Sequence, residues 1–296
     1  MNPRAWDELT IAGRRRRLRS VAESALRRYG IIPDRLTLIA TDTNTVYKVH
    51  GRGGPWMLRV AHAGAIEHPI TQVRSEMQVL LHLSDSGIIV PRPVTAGDGS
   101  LVQVVETEGV PGARRCVLLE WLPGKIVGER IGSVTAEAYG RLAADLHGAL
   151  ARFTPGTEFE IVSYDNPFPF EEPIVVWDAP PSVLPKGRRR LFETTRNHVQ
   201  GVIDRLSSEG GRQVLHGDLH VWNVITDRGS LGAIDFEDIM WGWPVQDIAT
   251  TLYYVEGADH YPAFLDAFGT GYRARGIWPS HEDISTFMAA RAMSVA

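Results

Sequence analysis

The sequence is poor in the features that assign a protein class at a glance. Cys116 is its only cysteine, so no disulfide can form within the chain, and such usage fits a reducing, intracellular setting. No stretch approaches the ~18 uninterrupted apolar residues that a membrane-spanning helix requires. The opening segment MNPRAWDELTIAGRRRRLRS has no apolar core behind its arginines to serve as a signal peptide. Charge of one sign is lacking as well: a formal net charge of -4 over 296 residues gives no whole-molecule signal for nucleic acid or membrane. The run Arg14-Arg15-Arg16-Arg17 is basic, but Glu23 and alternating charges follow it, as on the solvated face of a helix. The expectation is a soluble cytoplasmic protein that partners neither nucleic acid nor membrane.

What remains is ordinary for a folded chain. Hydrophobic content of 44% and charged content of 22% can bury a real core in one large domain or two smaller ones. Residues Ala5 to Tyr29 alternate apolar and charged positions at helical spacing, with Gly30 as a stop. LTLIATDTNTVYKVHG and PWMLRVAH then predict three successive strands, joined by turn residues. ITQVRSEMQVLLHLSDSG places Ile70, Val73, Met77, Leu80 and Leu81 on one helical face, and LVQVVETEG and RRCVLLEWL predict two more strands of an antiparallel set.

After Pro123-Gly124 the pattern turns helical. VTAEAYGRLAADLHGALARF and RRRLFETTRNHVQGVIDRLSSE predict amphipathic helices. Between them lies FEIVSYDNPFPFEEPIVVWDAPPSVLP, whose prolines from Pro167 to Pro185 argue against regular structure. A strand pair follows around residues 213–235, then helices from Pro244. The chain ends at Ala296 inside an apolar helical run, as a truncated chain would. Residues 1–122 are expected to form one domain and 123–296 the other.

The chemistry concentrates in QVLHGDLHVWNVITDRGSLGAIDFED, from Gln213 to Asp238. His216, Asp218 and His220 at alternate positions could ligate a metal on one face of a strand, but the remaining histidines show no paired metal spacing and Asn223 would have no task. Phosphoryl transfer uses more of these residues. It needs an Asp to accept the proton of the acceptor hydroxyl, an Asn five positions on to bind metal, and a second Asp after the next strand. Asp218, Asn223 and Asp235 have this spacing, across the turn Asp227-Arg228-Gly229. Such hard oxygen donors suit Mg2+.

HGDLHVWNV followed by IDFED resembles the motifs of the aminoglycoside phosphotransferase and choline kinase-like family, and the likeness runs from about Leu36 onward. The resemblance implies an α+β, bilobal, protein-kinase-like fold with an antiparallel-sheet N-terminal lobe for nucleotide and a mainly helical C-terminal lobe for catalysis and substrate. It implies ATP (or GTP) and Mg2+ as cofactors and a small-molecule hydroxyl as acceptor, in an antibiotic or another natural product. Carried over, Asp218 would be the catalytic base, Asn223 and Asp235 the metal ligands, and His216 a loop-positioning residue. PWMLRV offers Arg59 where a strand lysine is usual, and VRSEMQVL offers Glu76 as its helix partner. Arginine can pair with phosphate and with a carboxylate in a bidentate manner. The phosphate-covering turn would be Thr41-Asp42-Thr43-Asn44-Thr45, with Asn44 in contact. In VLLEWLPGK, Glu120 and Leu122 would meet adenine through backbone groups. His147 and Asp247 would support the loop. Glu237, Asp238, Trp177 and Trp241 are candidate acceptor contacts. A protein Ser/Thr kinase of the same fold and a non-catalytic nucleotide-binding module stay open as alternatives.

Overall fold

A computed structural model describes residues 5–41, 44–61, 69–128, 131–170, 179–180, 182 and 184–295. The chain divides into two compact units. Residues 1–84, 90–123 and 156–159 form the first; residues 85–89, 124–155 and 160–296 form the second. Among the described residues, no helix is long and apolar enough to cross a membrane.

The first unit is a five-stranded antiparallel sheet in the order β1-β2-β3-β5-β4. Its strands are β1 (Arg35–Thr41), β2 (Asn44–His50), β3 (Trp56–Ala61), β4 (Val102–Val105) and β5 (Arg114–Glu120). Helix α1 (Ile11–Arg28) begins at Thr10, whose hydroxyl accepts from Gly13 N, and buries Leu18, Val21, Ala22, Ala25 and Leu26. These positions recur at three- and four-residue steps and make one apolar stripe. The stripe packs with Trp56, Leu58 and Val60 of β3 and with Cys116 and Leu118 of β5. Side chains alternate along a strand, so Arg59 faces away from this core. Helix α2 (Ile70–Asp85) supplies Glu76 on Arg59's side of the sheet.

The second unit is mainly helical: α3 (Ser133–Leu150), α4 (Lys186–Glu209), α5 (Pro244–Tyr253), α6 (Tyr261–Arg273) and α7 (His281–Ser294). Helices α3 and α6 cross so closely that a Cβ on Gly140 would lie 2.0 Å from the Phe268 carbonyl oxygen. Where the sequence pattern predicts one strand pair, there are two three-stranded sheets. In the first, β9 (Val224–Asp227) is flanked by β10 (Ser230–Ala233) and β6 (Lys125–Ile126). In the second, β11 (Met240–Gly242) lies between β7 (Val162–Ser163) and β8 (Gln213–Leu215). Strands of two or three residues carry no periodicity of their own. They exist through pairing, which is why the Pro-rich stretch contains β7 at its start.

Candidate active site

Strand β8 ends where the loop of residues 216–223 begins, and buried side chains of two helices hold that loop. Asp247, in the first turn of α5, accepts from the backbone of His216 at 3.0 Å and of Gly217 at 2.9 Å. Its Oδ2 also meets His147 Nε2 of α3 at 3.1 Å, and His147 Nδ1 lies 2.8 Å from the Tyr272 hydroxyl. The Thr251 hydroxyl donates to the Leu219 carbonyl at 2.7 Å. Gly217 cannot be replaced without distortion. Its φ is +86°, and an added Cβ would fall 1.9 Å from the Asp238 carbonyl oxygen.

His216 is fully buried, and both ring nitrogens serve the loop. Nε2 lies 3.0 Å from the Ile234 carbonyl, and Nδ1 accepts from Asp218 N at 3.3 Å. Burial pushes its pKa down, so the ring stays neutral and donates through Nε2. This is incompatible with the metal-ligand reading of His216. Among the described residues, no three His, Cys, Asp or Glu gather to hold a metal.

Asp218 carries the convergent contacts. Oδ2 lies 3.1 Å from His220 Nε2 and 3.4 Å from Asn223 Nδ2, and Oδ1 accepts from Arg291 Nη2 at 2.5 Å. Burial alone would raise its pKa. The His220 hydrogen bond and the Arg291 charge outweigh that and hold it below the ordinary carboxylate value. Arg291, on α7, also donates to the Tyr254 hydroxyl at 2.9 Å. Burial opposes its charge, but Asp218 and Tyr254 reverse the effect and raise its pKa. Arg291 was not a candidate in the sequence; Tyr254 stood there only among the aromatics after Asp235 that could wall an acceptor pocket. The available signal was an arginine set in the apolar run FMAARAMSV, where a buried charge demands a partner.

Asn223 and Asp235 flank the β9–β10 hairpin. Arg228 and Gly229 form its two-residue turn, both at positive φ, the geometry of the tightest hairpins. Val224 pairs with Ala233, and Ile234 N donates to the Asn223 carbonyl at 2.9 Å, so Asp235 emerges one residue beyond Asn223's partner. Asn223 Nδ2 points at the Asp218 backbone carbonyl, 3.0 Å away. That leaves its amide oxygen for another partner. Asp235 is exposed and sits at φ +67°, a conformation Asp tolerates better than most residues.

Asp238 and Glu237 are half-buried beside these groups. Burial first, and then Asp218, Asp235 and Glu237, push the Asp238 carboxyl up to about 7. Trp241 is half-buried at the centre of β11, the middle strand of its sheet. Trp177 lies outside the described residues, as do Asp42 and Thr43 of the expected phosphate turn. Trp243 is buried, and its indole N–H donates to the Gly210 carbonyl at 3.0 Å.

In the first unit, Arg59 and Glu76 form a buried fork-to-fork pair. Nη1 donates to Oε1 at 2.9 Å, and Nη2 donates to Oε2. Asn44 is buried at the start of β2. Glu120 is exposed at the end of β5, and its N–H donates to the Arg92 carbonyl at 2.8 Å. That amide is therefore unavailable to a nucleobase. Leu122 is half-buried two residues further on.

An antiparallel sheet carrying a buried Arg–Glu pair, together with a helical unit presenting an anchored Asp/Asn loop and a second Asp, defines a kinase-like phosphotransferase. Residues 36–283 match the model of the phosphotransferase enzyme family, APH, and the chain belongs to that family. It is similar to amicoumacin kinase of Bacillus subtilis (strain 168), at 28% identity over 88% of this chain and 76% of the relative. Its fold is that of amicoumacin kinase hAmiN solved with AMP-PNP, Ca2+ and Ami. The TM-score is 0.79 at 22% identity, over 97% of this chain and 87% of the other. A microcompartment-associated aminopropanol kinase also shares the fold, with TM-score 0.68 at 23% identity over 93% and 94% of the two chains.

Proposed function

We propose that this protein transfers the γ-phosphoryl group of ATP to a hydroxyl of a small, amine-bearing natural product of the antibiotic type, in the cytoplasm, and so inactivates it. The observation that carries the reading is the Asp218–Asn223 geometry. The loop is pinned by Asp247, and the Asn223 amide nitrogen is turned toward Asp218, so its oxygen is free for a cation. Phosphoryl transfer asks little covalent chemistry of a protein and much positioning. Asp218 is the base that orients the acceptor hydroxyl and takes its proton. Asn223, through its amide oxygen, and Asp235 would hold Mg2+, a hard cation suited to such donors, which when bound neutralises charge on the nucleotide phosphates. Arg59, fixed by Glu76, is the cation of the nucleotide side, and Leu122 supplies backbone groups for adenine. Asn44 belongs to the phosphate turn.

The acceptor's amine is suggested by the acidic pair Glu237 and Asp238 beside Asp218; burial first, and then the neighbouring carboxylates, push the Asp238 carboxyl up. The similarity to amicoumacin kinase supports a small natural product as acceptor. Trp241, and Trp177 from the Pro-rich stretch of the sequence, are its candidate apolar walls. The test is consumption of ATP and of GTP across a panel containing amicoumacin, aminopropanol, aminoglycosides and amine-free alcohols, with Asp218→Asn as control. Turnover confined to amine-bearing acceptors and lost in the variant is expected. Turnover of amine-free alcohols alone would overturn the acceptor class, and equal rates in the variant would overturn the base.

A further inference from the structure

Two side chains besides Asn223 meet the Asp218 carboxylate, Arg291 and His220, and Tyr254 touches both. Arg291 of α7 meets Oδ1, and the same nitrogen donates to the Tyr254 hydroxyl at the end of α5. The guanidinium lies 5.4 Å from the centre of the Tyr254 ring. That ring stands 4.2 Å from the His220 ring, whose Nε2 meets Oδ2. His220 Nδ1 accepts from Trp222 N at 3.2 Å, which assigns the proton to Nε2 and makes it the donor toward Asp218.

Each carboxylate oxygen can accept two hydrogen bonds. On Oδ2 both places are used, by His220 and by Asn223. On Oδ1 one is used, by Arg291. The place left for an incoming hydroxyl is therefore the second lone pair of Oδ1, beside the guanidinium. We propose that Arg291 is a positioning residue for phosphoryl transfer, fixing Oδ1 of Asp218 as the oxygen that takes the acceptor's proton. The inference rests on the reading of Asp218 as the base. In the step itself the acceptor O–H bond breaks and its proton passes to Oδ1. The acceptor oxygen bonds to the γ-phosphorus, and the bond from that phosphorus to the bridging oxygen breaks to release ADP. Arg291 enters only by holding the carboxylate plane, and Tyr254 by holding Arg291. A planar guanidinium seated on a ring fixes direction as well as charge, which an ammonium does less well.

The competing account is that Arg291 merely ties α7 to the loop. Four variants separate the two: Arg291→Ala, Arg291→Lys, Tyr254→Phe and Asp218→Asn, as full-length proteins. The probe is MgATP with water as acceptor, read as phosphate release, and then with any panel compound the wild type phosphorylates. Nucleotide affinity and Tm are measured alongside. If Arg291 positions the base, Arg291→Ala lowers kcat by about 10- to 100-fold, the scale of a misplaced reacting group, with KM for ATP within about twofold. Arg291→Lys recovers part of that loss, Tyr254→Phe loses less than Arg291→Ala, and added guanidinium ion restores Arg291→Ala but not Asp218→Asn. An Arg291→Ala enzyme with wild-type kcat beside an inactive Asp218→Asn would overturn the proposal and leave the base in place. Loss of kcat, ATP affinity and Tm together, without guanidinium rescue, would assign Arg291 to the tie alone. Equal phosphate release by the wild type and Asp218→Asn would remove the base and the role of Arg291 with it.

Discussion

The two units each hold an arginine–carboxylate pair, and the pairs are built differently. Arg59 and Glu76 meet through two nitrogens and two oxygens, with side chains 9% and 3% exposed. Arg291 and Asp218 meet through one nitrogen and one oxygen, with side chains 22% and 20% exposed. The first pair closes two parallel hydrogen bonds, the arrangement that holds a β-strand and a helix at a fixed distance. The second leaves a carboxylate lone pair open and divides one guanidinium nitrogen between Asp218 and a tyrosine. One pair is first a fixture of its unit; the other leaves a carboxylate oxygen open to a third partner. Removing a residue from the first should therefore act on stability and nucleotide affinity, and removing one from the second mainly on the rate of transfer.

The largest effect belongs to the open pair. Asp218→Asn is expected to lower kcat by about 10²- to 10⁴-fold, the usual worth of a positioned general base, while ATP affinity changes little. Stability should fall by about 1–3 kcal/mol, less than for the closed pair, since Arg291 keeps Tyr254 and an asparagine still offers it an oxygen. Single-turnover kinetics and denaturant titration check both halves, and a variant that unfolds readily while turning over normally would invert the comparison.

The closed pair should show the opposite signature. Glu76→Ala leaves the Arg59 charge buried and is expected to destabilise the protein by about 3–5 kcal/mol, read as a lower denaturation midpoint. Replacing both partners with apolar residues of similar volume should recover most of that loss, because no uncompensated charge remains. Arg59→Lys sharpens the point. One ammonium cannot span both Glu76 oxygens, so about 1.5–3 kcal/mol should be lost, the range for a hydrogen bond to a charged group.

These contrasts bear on what a sequence can reveal. The Asp218–Asn223–Asp235 spacing was legible because the hairpin between Asn223 and Asp235 is local and its Asp-Arg-Gly turn is written in residue types. The antiparallel strands and long helices were legible from periodicity, and Arg59 and Glu76 only through the family resemblance, which asks for such a pair on a strand and the next helix. Arg291 was not, because it lies 73 residues from Asp218 in sequence and no local spacing links them. The same holds for the commitment of the Glu120 amide to Arg92, and for β6, β7 and β11, which pairing creates rather than propensity. Local chemistry survives in one dimension; contacts made by returning chain do not.

The smallest predicted effect concerns the single cysteine. Cys116 lies in the β5 core against α1, fully buried, and burial above all pushes its thiol up to about 12. The thiolate is the reactive form, so the folded protein at neutral pH holds almost none of it, and the buried position bars reagent as well. Iodoacetamide applied to the native protein should leave activity unchanged and add no mass, whereas denatured protein should take up one equivalent. The core of the first unit and the pair it supports are then testable together: Glu76→Ala, by loosening the unit around β3, should label faster than the wild type, and Asp218→Asn should not. If the two variants label alike, the separation of fixture from working pair is lost.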